Sequence, residues 1–371
     1  MADHAEHPPS NQPIALDAMG GDLGVSPLID GAVAAAFDDG AAVIVVGDAS
    51  ADAALTDAVR ARGALTGAAG GLRARAENGG HVEFVFADDV VTMEDKPQQA
   101  VKKKKSSMRK ACDLVEEGRA RAVVSVANSG AMVATSSFVF GRFDGVARPC
   151  IATVLPSFAP SASGRFGRSL LVDAGANNVC TPLHLAQFGV MGSVYLEKAF
   201  GTPRPAVAVL SNGEEEHKGT PLSREALALL KQTDVNVVGF CEGRDLTAGV
   251  VHVVVTDGFT GNIVLKTSEG VFSFLSRVIK ETFEGGSLVD NLGGLLSKPG
   301  WARIKREIDP REFGAAPLLG LARPSFIAHG KSDAHAVRCA IRAARRYVDH
   351  DVGDAISAAV VRNASVWREN G

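Results

Sequence analysis

Two kinds of residue in this chain have types and spacings suited to chemistry. One is a packed run of cations, and the other is a set of Asn, Asp and Gly turns that follow short apolar runs. Lys102, Lys103, Lys104 and Lys105 stand in unbroken succession, with Ser106 and Ser107 next and Arg109 and Lys110 close behind. Like charges at this spacing repel, so a bound anion relieves the repulsion; a solvated helix face is the ordinary alternative for such a run. The sequence Asp257-Gly258-Phe259-Thr260-Gly261-Asn262 follows an apolar run over 250–255 that only His252 interrupts. Gly258 and Gly261 break the strand, and Asn262 stands where a helix N-cap belongs, so free backbone N–H groups point at one spot, as a phosphate requires. Asn128-Ser129-Gly130 and Asp173-Ala174-Gly175-Ala176-Asn177 repeat the pattern after their own apolar runs. Their small residues let a ligand approach the backbone closely. Residues 212–219 form an acidic cluster around one lysine, Lys218, which is read either as an oriented proton-transfer group or as an exposed loop.

Other chemistries lack their signatures. No Gly-x-Gly-x-x-Gly follows any apolar run, and Gly330-Lys331-Ser332 resembles the end of a phosphate loop except that Ser325 stands where its first glycine belongs. No Gly-x-Ser-x-Gly elbow occurs, and His4, His7, His329 and His335 lack metal-ligand spacing. The cysteines at 112, 150, 180, 241 and 339 form no Cys-x-x-Cys pair and are odd in number, which argues for reduced, mostly buried thiols in a cytosolic protein. The expectation is a reaction without metal, redox cofactor or covalent nucleophile. A net charge of −3 gives no global attraction to nucleic acid, and with 6% aromatic residues there is no aromatic–basic interleaving.

The elements that must hold these turns alternate. Strands are expected over 14–17, 42–46, 82–86, 122–127, 151–155, 170–173, 206–210, 235–240, 250–255 and 326–329. Helices are expected over 27–37, 98–117, 129–140, 182–200, 223–231, 262–283 and 331–349. Alternation of this kind predicts an α/β fold with a mainly parallel sheet covered by helices. Ligands bind such sheets beyond the carboxyl ends of the strands, where Asp17, Asp88, Asn128, Asp173, Asn212, Glu242, Asp257 and His329 fall. Residues 63–80 read as an insertion or loose connection without chemistry.

At 371 residues the chain exceeds one typical core, and the reading takes residues 14–350 as one catalytic domain, with tails at 1–13 and 351–371. The first tail is polar and lacks the apolar segment of an export signal. Over 285–301, Leu288, Leu292, Leu295 and Leu296 share a helical face and Lys298, Arg303, Lys305 and Arg306 follow. Within a helical hairpin over 262–325, this segment suits contact with a second subunit or with a membrane interface. In the helix expected over 331–349, Val337, Ile341, Ala344 and Val348 face a core, while Arg338, Arg342, Arg345 and Arg346 suit an acidic partner.

In chain order, these blocks resemble one family, the bacterial phosphate acyltransferases of phospholipid synthesis known as PlsX. The likeness is carried by Leu16-Asp17-Ala18-Met19-Gly20-Gly21-Asp22, residues 102–108, Asn128-Ser129-Gly130-Ala131 and Val172-Asp173-Ala174-Gly175-Ala176-Asn177. It continues through 187–193, 213–219, Glu242-Gly243-Arg244-Asp245, residues 257–267 and Ala328-His329-Gly330. Two departures stand out: Val126-Ala127 where relatives carry Ala-Gly, and His252 where an Asp is usual. The resemblance implies a homodimeric α/β enzyme of isocitrate-dehydrogenase-like, phosphotransacetylase-related fold, cytoplasmic and working near the membrane. It would move a long-chain acyl group from acyl carrier protein to inorganic phosphate, and a glycerol-3-phosphate acyltransferase would consume the product.

A thioester is already activated, so such an enzyme must hold a phosphate dianion beside the carbonyl and stabilise the oxyanion that forms. By residue type and position, Lys102, Lys104, Ser106, Ser107, Asn128, Ser129 and Gly130 are the expected phosphate-binding set. Asp257, Asn262, Lys266 and Lys218 join Lys104 as the catalytic set. Asp17, Gly20, Gly21, Asp173, Gly175, Asn177, Gly258, Gly261 and His329 line the remainder of the cleft. The stripe Val271, Phe272, Phe274, Leu275, Val278, Ile279 and Phe283 suits either an acyl-chain wall or plain packing. Two rival functions are a metal- and NAD-dependent decarboxylating dehydrogenase of related fold and a non-catalytic membrane scaffold.

Overall fold

The computed structural model describes residues 12–64, 71–158, 167–284, 296–297, 299–300 and 310–369. The hairpin segment expected over 285–301 therefore lies almost wholly outside the described residues. The chain divides into two compact units. The first comprises the segments up to Pro149, Val194–Pro203 and Phe313–Glu369, and the second comprises Cys150–Ser193 and Arg204–Glu312.

In the first unit, β1 (Ile14–Asp17), β2 (Ala42–Gly47), β3 (Leu72–Arg75), β4 (His81–Phe86), β5 (Ala122–Ser125), β11 (Ala316–Leu319) and β12 (Ser325–Ile327) order as β3-β4-β2-β1-β5-β12-β11. The inner five, β4 to β12, pair in parallel, while β3 and β11 are antiparallel. Register brings Val85, Val46, Asp17, Ser125 and Ile327 into one row at the carboxyl edge. Every residue of β1, β2 and β5 is buried, as the continuous apolar runs require of strands covered on both faces. Burying one Leu or Ile of this kind contributes about 1.5–3 kcal/mol. In the second unit, β6 (Cys150–Ser157), β7 (Gly167–Val172), β8 (Val207–Leu210), β9 (Val237–Cys241) and β10 (Val253–Val255) order as β6-β7-β10-β8-β9. All pairs there except β6–β7 are parallel, so Val172, Val255, Val209 and Phe240 end together.

Several elements differ from the sequence expectation. The stretch read as a loose connection contains the edge strand β3, where Arg73 lies over the Phe84 ring at 5.5 Å and pairs with Asp52 at 2.9 Å. The helix expected over 98–117 is broken: Pro97–Ala100 is one turn, the lysine run is a series of turns, and Ser107–Glu116 is a separate helix. Residues 351–371 were expected as a tail, but Val352–Arg362 and Ala364–Glu369 are helices, with Val352, Ile356, Ala359, Val360, Val366 and Trp367 buried. The arginines of helix Ala334–Asp349 need no outside acidic partner. Arg338 makes a two-pronged contact with Asp39 at 2.6 and 2.8 Å, Arg342 reaches Asp39 at 3.4 Å, Arg345 donates to the Asp39 carbonyl, and Arg346 covers the Phe200 ring. Among the described residues no helix is long and apolar enough to cross a membrane.

Candidate functional site

At the first unit's carboxyl edge, four loops are tied together. The lysine run separates by role. Lys103 is committed to the 90–95 loop, with Nζ donating to the Val90 carbonyl at 2.8 Å and to Asp95 at 2.7 Å. This bond is the main cause that holds the Asp95 carboxyl below its ordinary range. Lys102, Lys104 and Lys105 are exposed and form no ion pair with any described residue. The bend, not a helix, commits Lys103 to the 90–95 loop and leaves Lys102, Lys104 and Lys105 exposed. Ser106 and Ser107, expected on phosphate, are buried. The Ser106 hydroxyl accepts the Arg109 N–H at 3.3 Å as the helix cap and donates to the Lys103 carbonyl at 2.8 Å, so its one donor is spent.

Asn128 caps helix Ser129–Phe140, its Oδ1 accepting the Ala131 N–H at 3.1 Å. Its Nδ2 donates to the carbonyls of Met93 and Asp95 at 2.9 and 3.0 Å, so this side chain positions the 93–95 loop and has no donor left for a ligand. The exposed residues Ser129 and Gly130 contribute the first amides of that helix, a favourable position for an anion. Gly20 has φ +78°, and a Cβ there would lie 2.7 Å from the Val91 carbonyl oxygen and 2.9 Å from Ala127 Cβ. The departure at Ala127 thus sits directly against a residue that must be glycine. Asp22 donates its N–H to the Gly330 carbonyl at 2.8 Å, joining the 20–22 turn to the loop after β12. His329 is exposed there, with Nδ1 accepting the Lys331 N–H at 3.2 Å.

Beneath these loops, Asp17 is buried; it accepts the Ser125 hydroxyl at 2.8 Å and the Met19 N–H at 3.3 Å. Burial pushes its carboxyl up to about 6, against the opposing pull of the Ser107 and Ser125 hydroxyls and the Met19 amide. Ser107 bears on the carboxylate although its Oγ falls outside hydrogen-bond geometry with any described group. Asp17 is therefore a buried support and not a cleft wall. Sequence reasoning missed Ser125, whose signal was its place at the neighbouring strand end.

The second unit's edge is organised by another buried carboxylate. Asp173 Oδ1 accepts the N–H groups of Ile151, Gly175 and Ala176 at 2.9, 3.2 and 2.9 Å, and Oδ2 accepts the backbone and side-chain N–H of Asn177 at 2.7 and 2.8 Å. Burial raises its pKa while these donors oppose the rise. The 173–177 amides are thus spent internally, those of Gly175, Ala176 and Asn177 on Asp173 and those of Asp173 and Ala174 on the carbonyls of Thr256 and Ile151. Helix Gly258–Glu284 begins four residues before its expected start, so Asn262 lies inside the first turns and is not the N-cap. Asp257 occupies the cap position, accepting the Thr260 N–H at 2.9 Å and hydroxyl at 2.8 Å. A Cβ at Gly258 would lie 2.7 Å from the Asn177 backbone, and one at Gly261 would overlap the Asp173 carbonyl oxygen. Both glycines serve close packing of the helix start on the 173–177 loop.

Asn262 is left exposed, and Lys266 is exposed and bonds Glu269 at 2.8 Å. Lys218 is half-buried, its stem lying against Gly213. Around it, Glu216 pairs with Lys231, and Arg244 with Glu242 and Glu214. His252 is structural: its Nδ1 accepts the Ala206 N–H at 3.1 Å, and burial lowers its pKa, which keeps the ring an acceptor. Buried thiols are held protonated, with Cys112 and Cys241 pushed up to about 12.

The family described as Fatty acid synthesis protein matches residues 13–354. A phosphate acyltransferase from Anaeromyxobacter sp. (strain Fw109-5) is 42% identical over 349 residues, covering 94% of this chain and 90% of that one. Phosphate acyltransferases from Syntrophotalea carbinolica and Myxococcus xanthus are 43% and 41% identical, covering 93% and 95% of this chain and the same shares of their own. In fold, the chain is similar to a phosphotransacetylase from Streptococcus pyogenes, with a TM-score of 0.55 at 16% identity over 91% of this chain and 94% of that one. On the family match and on relatives this similar over nearly their whole length, the chain belongs to the fatty acid synthesis protein family.

Proposed function

We infer that this chain is an acyltransferase that moves an acyl group from the thioester of acyl carrier protein to inorganic phosphate, releasing acyl phosphate and the free carrier thiol for phospholipid synthesis. The observation that carries this reading is the 42% identity with a phosphate acyltransferase across 94% of the chain. The three exposed lysines beside a helix N-terminus support it physically, because they supply the charge that a phosphate dianion needs without a protein nucleophile. Lys102 and Lys104, with Lys105, take the role of phosphate cations, and the Ser129 and Gly130 amides that of fixed donors. In the second unit, Asn262 is exposed and Lys218 half-buried, and each side chain carries hydrogen-bond donors. The relatives' names favour acyl transfer over the dehydrogenase alternative. Incubating the purified protein with acyl-[acyl carrier protein], with and without phosphate, tests the reading. Phosphate-dependent release of carrier thiol is expected; NAD⁺ reduction with a 2-hydroxy acid in its place would refute it.

Helix Gly258–Glu284 exposes Phe259, Ile263, Val271, Phe274, Leu275 and Val278. An apolar stripe of this length on a solvent face marks an interaction surface. It is assigned to a second copy of the chain in a homodimer, with peripheral membrane contact as the alternative use.

A further inference from the structure

His329 stands in the loop after β12, and four hydrogen bonds hold the turn around it. Its carbonyl accepts the Ser332 N–H at 2.9 Å and the Ser332 hydroxyl at 2.6 Å. The Gly330 carbonyl accepts the Asp22 N–H at 2.8 Å, and the His329 ring accepts the Lys331 N–H at 3.2 Å through Nδ1. Gly330 leaves no room for a side chain, since a Cβ there would lie 2.9 Å from Met93 Cε and 3.0 Å from Asp22 Oδ2. The Met93 carbonyl accepts Asn128 Nδ2, and Asn128 caps the helix whose first residues are Ser129 and Gly130. An unbroken run of contacts therefore leads from His329 to the helix start that supplies the fixed donors of the phosphate site. Lys103 ties the lysine turn to the same 90–95 loop.

A backbone N–H can only donate, so Nδ1 is the acceptor and the neutral ring carries its proton on Nε2. The side chain is exposed, and Nε2 has no hydrogen-bond partner among the described residues. The loop thus presents a single N–H donor, with its tautomer set by the backbone, beside the exposed lysines. We propose that His329 orients phosphate, its Nε2–H bonding one phosphate oxygen while Lys102, Lys104 and Lys105 offset the charge. A neutral donor fixes the dianion without giving it a proton, so the attacking oxygen keeps its charge. His329 is not the general base that an exposed histidine at such a site suggests, because the Nδ1 lone pair is spent on Lys331. In attack by hydrogen phosphate, the C–O bond forms, the C–S bond breaks and the phosphate proton ends on the carrier thiol. The ring passes no proton.

This assignment rests on the phosphate acyltransferase reading above. The test compares His329→Ala and His329→Gln in the full chain, glutamine restoring an N–H donor without a base. His329→Ala is expected to raise the phosphate KM about tenfold, as loss of a hydrogen bond to a charged group implies, with the acyl-thioester KM within about twofold. His329→Gln is expected to return the phosphate KM to within about threefold of the unaltered enzyme. Histidine 15N spectra, with the His329 signals identified by their loss in His329→Gln, are expected to show the proton on Nε2 and a shift of that resonance on adding inorganic phosphate alone. An unchanged phosphate KM in His329→Ala overturns the assignment, as does a His329→Gln enzyme equally impaired. A proton on Nδ1, or an Nε2 resonance indifferent to phosphate, overturns it too, and phosphate-dependent thiol release then leaves the acyltransferase reading standing. Absence of that release in the unaltered enzyme removes the acyltransferase reading, while the phosphate titration, which needs no acyl substrate, still decides whether His329 binds the anion.

Discussion

The Asp17 carboxylate and the Ser125 hydroxyl hydrogen-bond at 2.8 Å between residues that are also register partners across β1 and β5. The acid is buried at a strand end, and burial pushes its pKa up from 3.8 to about 6 against the opposing pull of this bond. A raised folded-state value means that Asp17 contributes stability fully below about pH 4, and that this contribution is lost as pH rises through about 6. Asp17→Asn has no such titration. The stability of Asp17→Asn relative to the unaltered protein should therefore rise between pH 4 and 7, by about 3 kcal/mol for a shift of this size. Urea melts across that range check it; a pH-independent difference would contradict the burial argument.

The cation role separates neighbouring lysines. Lys104→Ala should raise the phosphate KM about tenfold at low salt, with the loss growing smaller as added salt screens the cation. Lys103→Ala should act differently, lowering Tm through release of the 90–95 loop. Steady-state kinetics beside a thermal melt of both variants distinguishes the two; identical behaviour would remove the division of labour.

Gly261→Ala should destabilise by about 3 kcal/mol or more, since its Cβ would overlap backbone that has no freedom to retreat. Gly270→Ala, on the same helix with nothing within 4 Å of a new Cβ, should stabilise by about 0.5–1 kcal/mol. Soluble yield and Tm of the pair report on the close approach to Asp173, and a well-folded Gly261→Ala would count against it.

Arg338 holds the Asp39 carboxyl below its ordinary range, chiefly by hydrogen bonding. A depressed value contributes stability above the ordinary carboxylate range and loses it as pH falls through the folded value. Arg338→Ala should cost about 1 kcal/mol near neutrality, a modest figure because the pair is partly exposed to water. The gap from the unaltered protein should close in acid denaturation below about pH 4.

Phe274, 65% exposed on helix Gly258–Glu284, is the most exposed large side chain of its stripe. Phe274→Glu should leave Tm of the isolated fold little changed while shifting sedimentation from dimer to monomer. A dimer that survives the substitution would transfer the assigned interface elsewhere.

Local pattern carried much of this molecule. Helix Ser129–Phe140 and helix Pro182–Phe200 appear with their expected bounds, and β1 matches residue for residue, because unbroken apolar runs and cap residues act through neighbours along the chain. Gly258, Gly261 and Asp173 were legible as special positions. Their purpose was not, since a phosphate-binding glycine and a packing glycine look alike until the approaching backbone is known. Tertiary structure alone decided that Lys103 is bound while Lys102 and Lys104 form no ion pair with any described residue, that Asn128 spends its amide on the 93–95 loop, and that Arg338, Arg342 and Arg345 answer Asp39. Each of these depends on a partner distant in sequence, and a charge or amide carries no mark of which partner folding will bring to it.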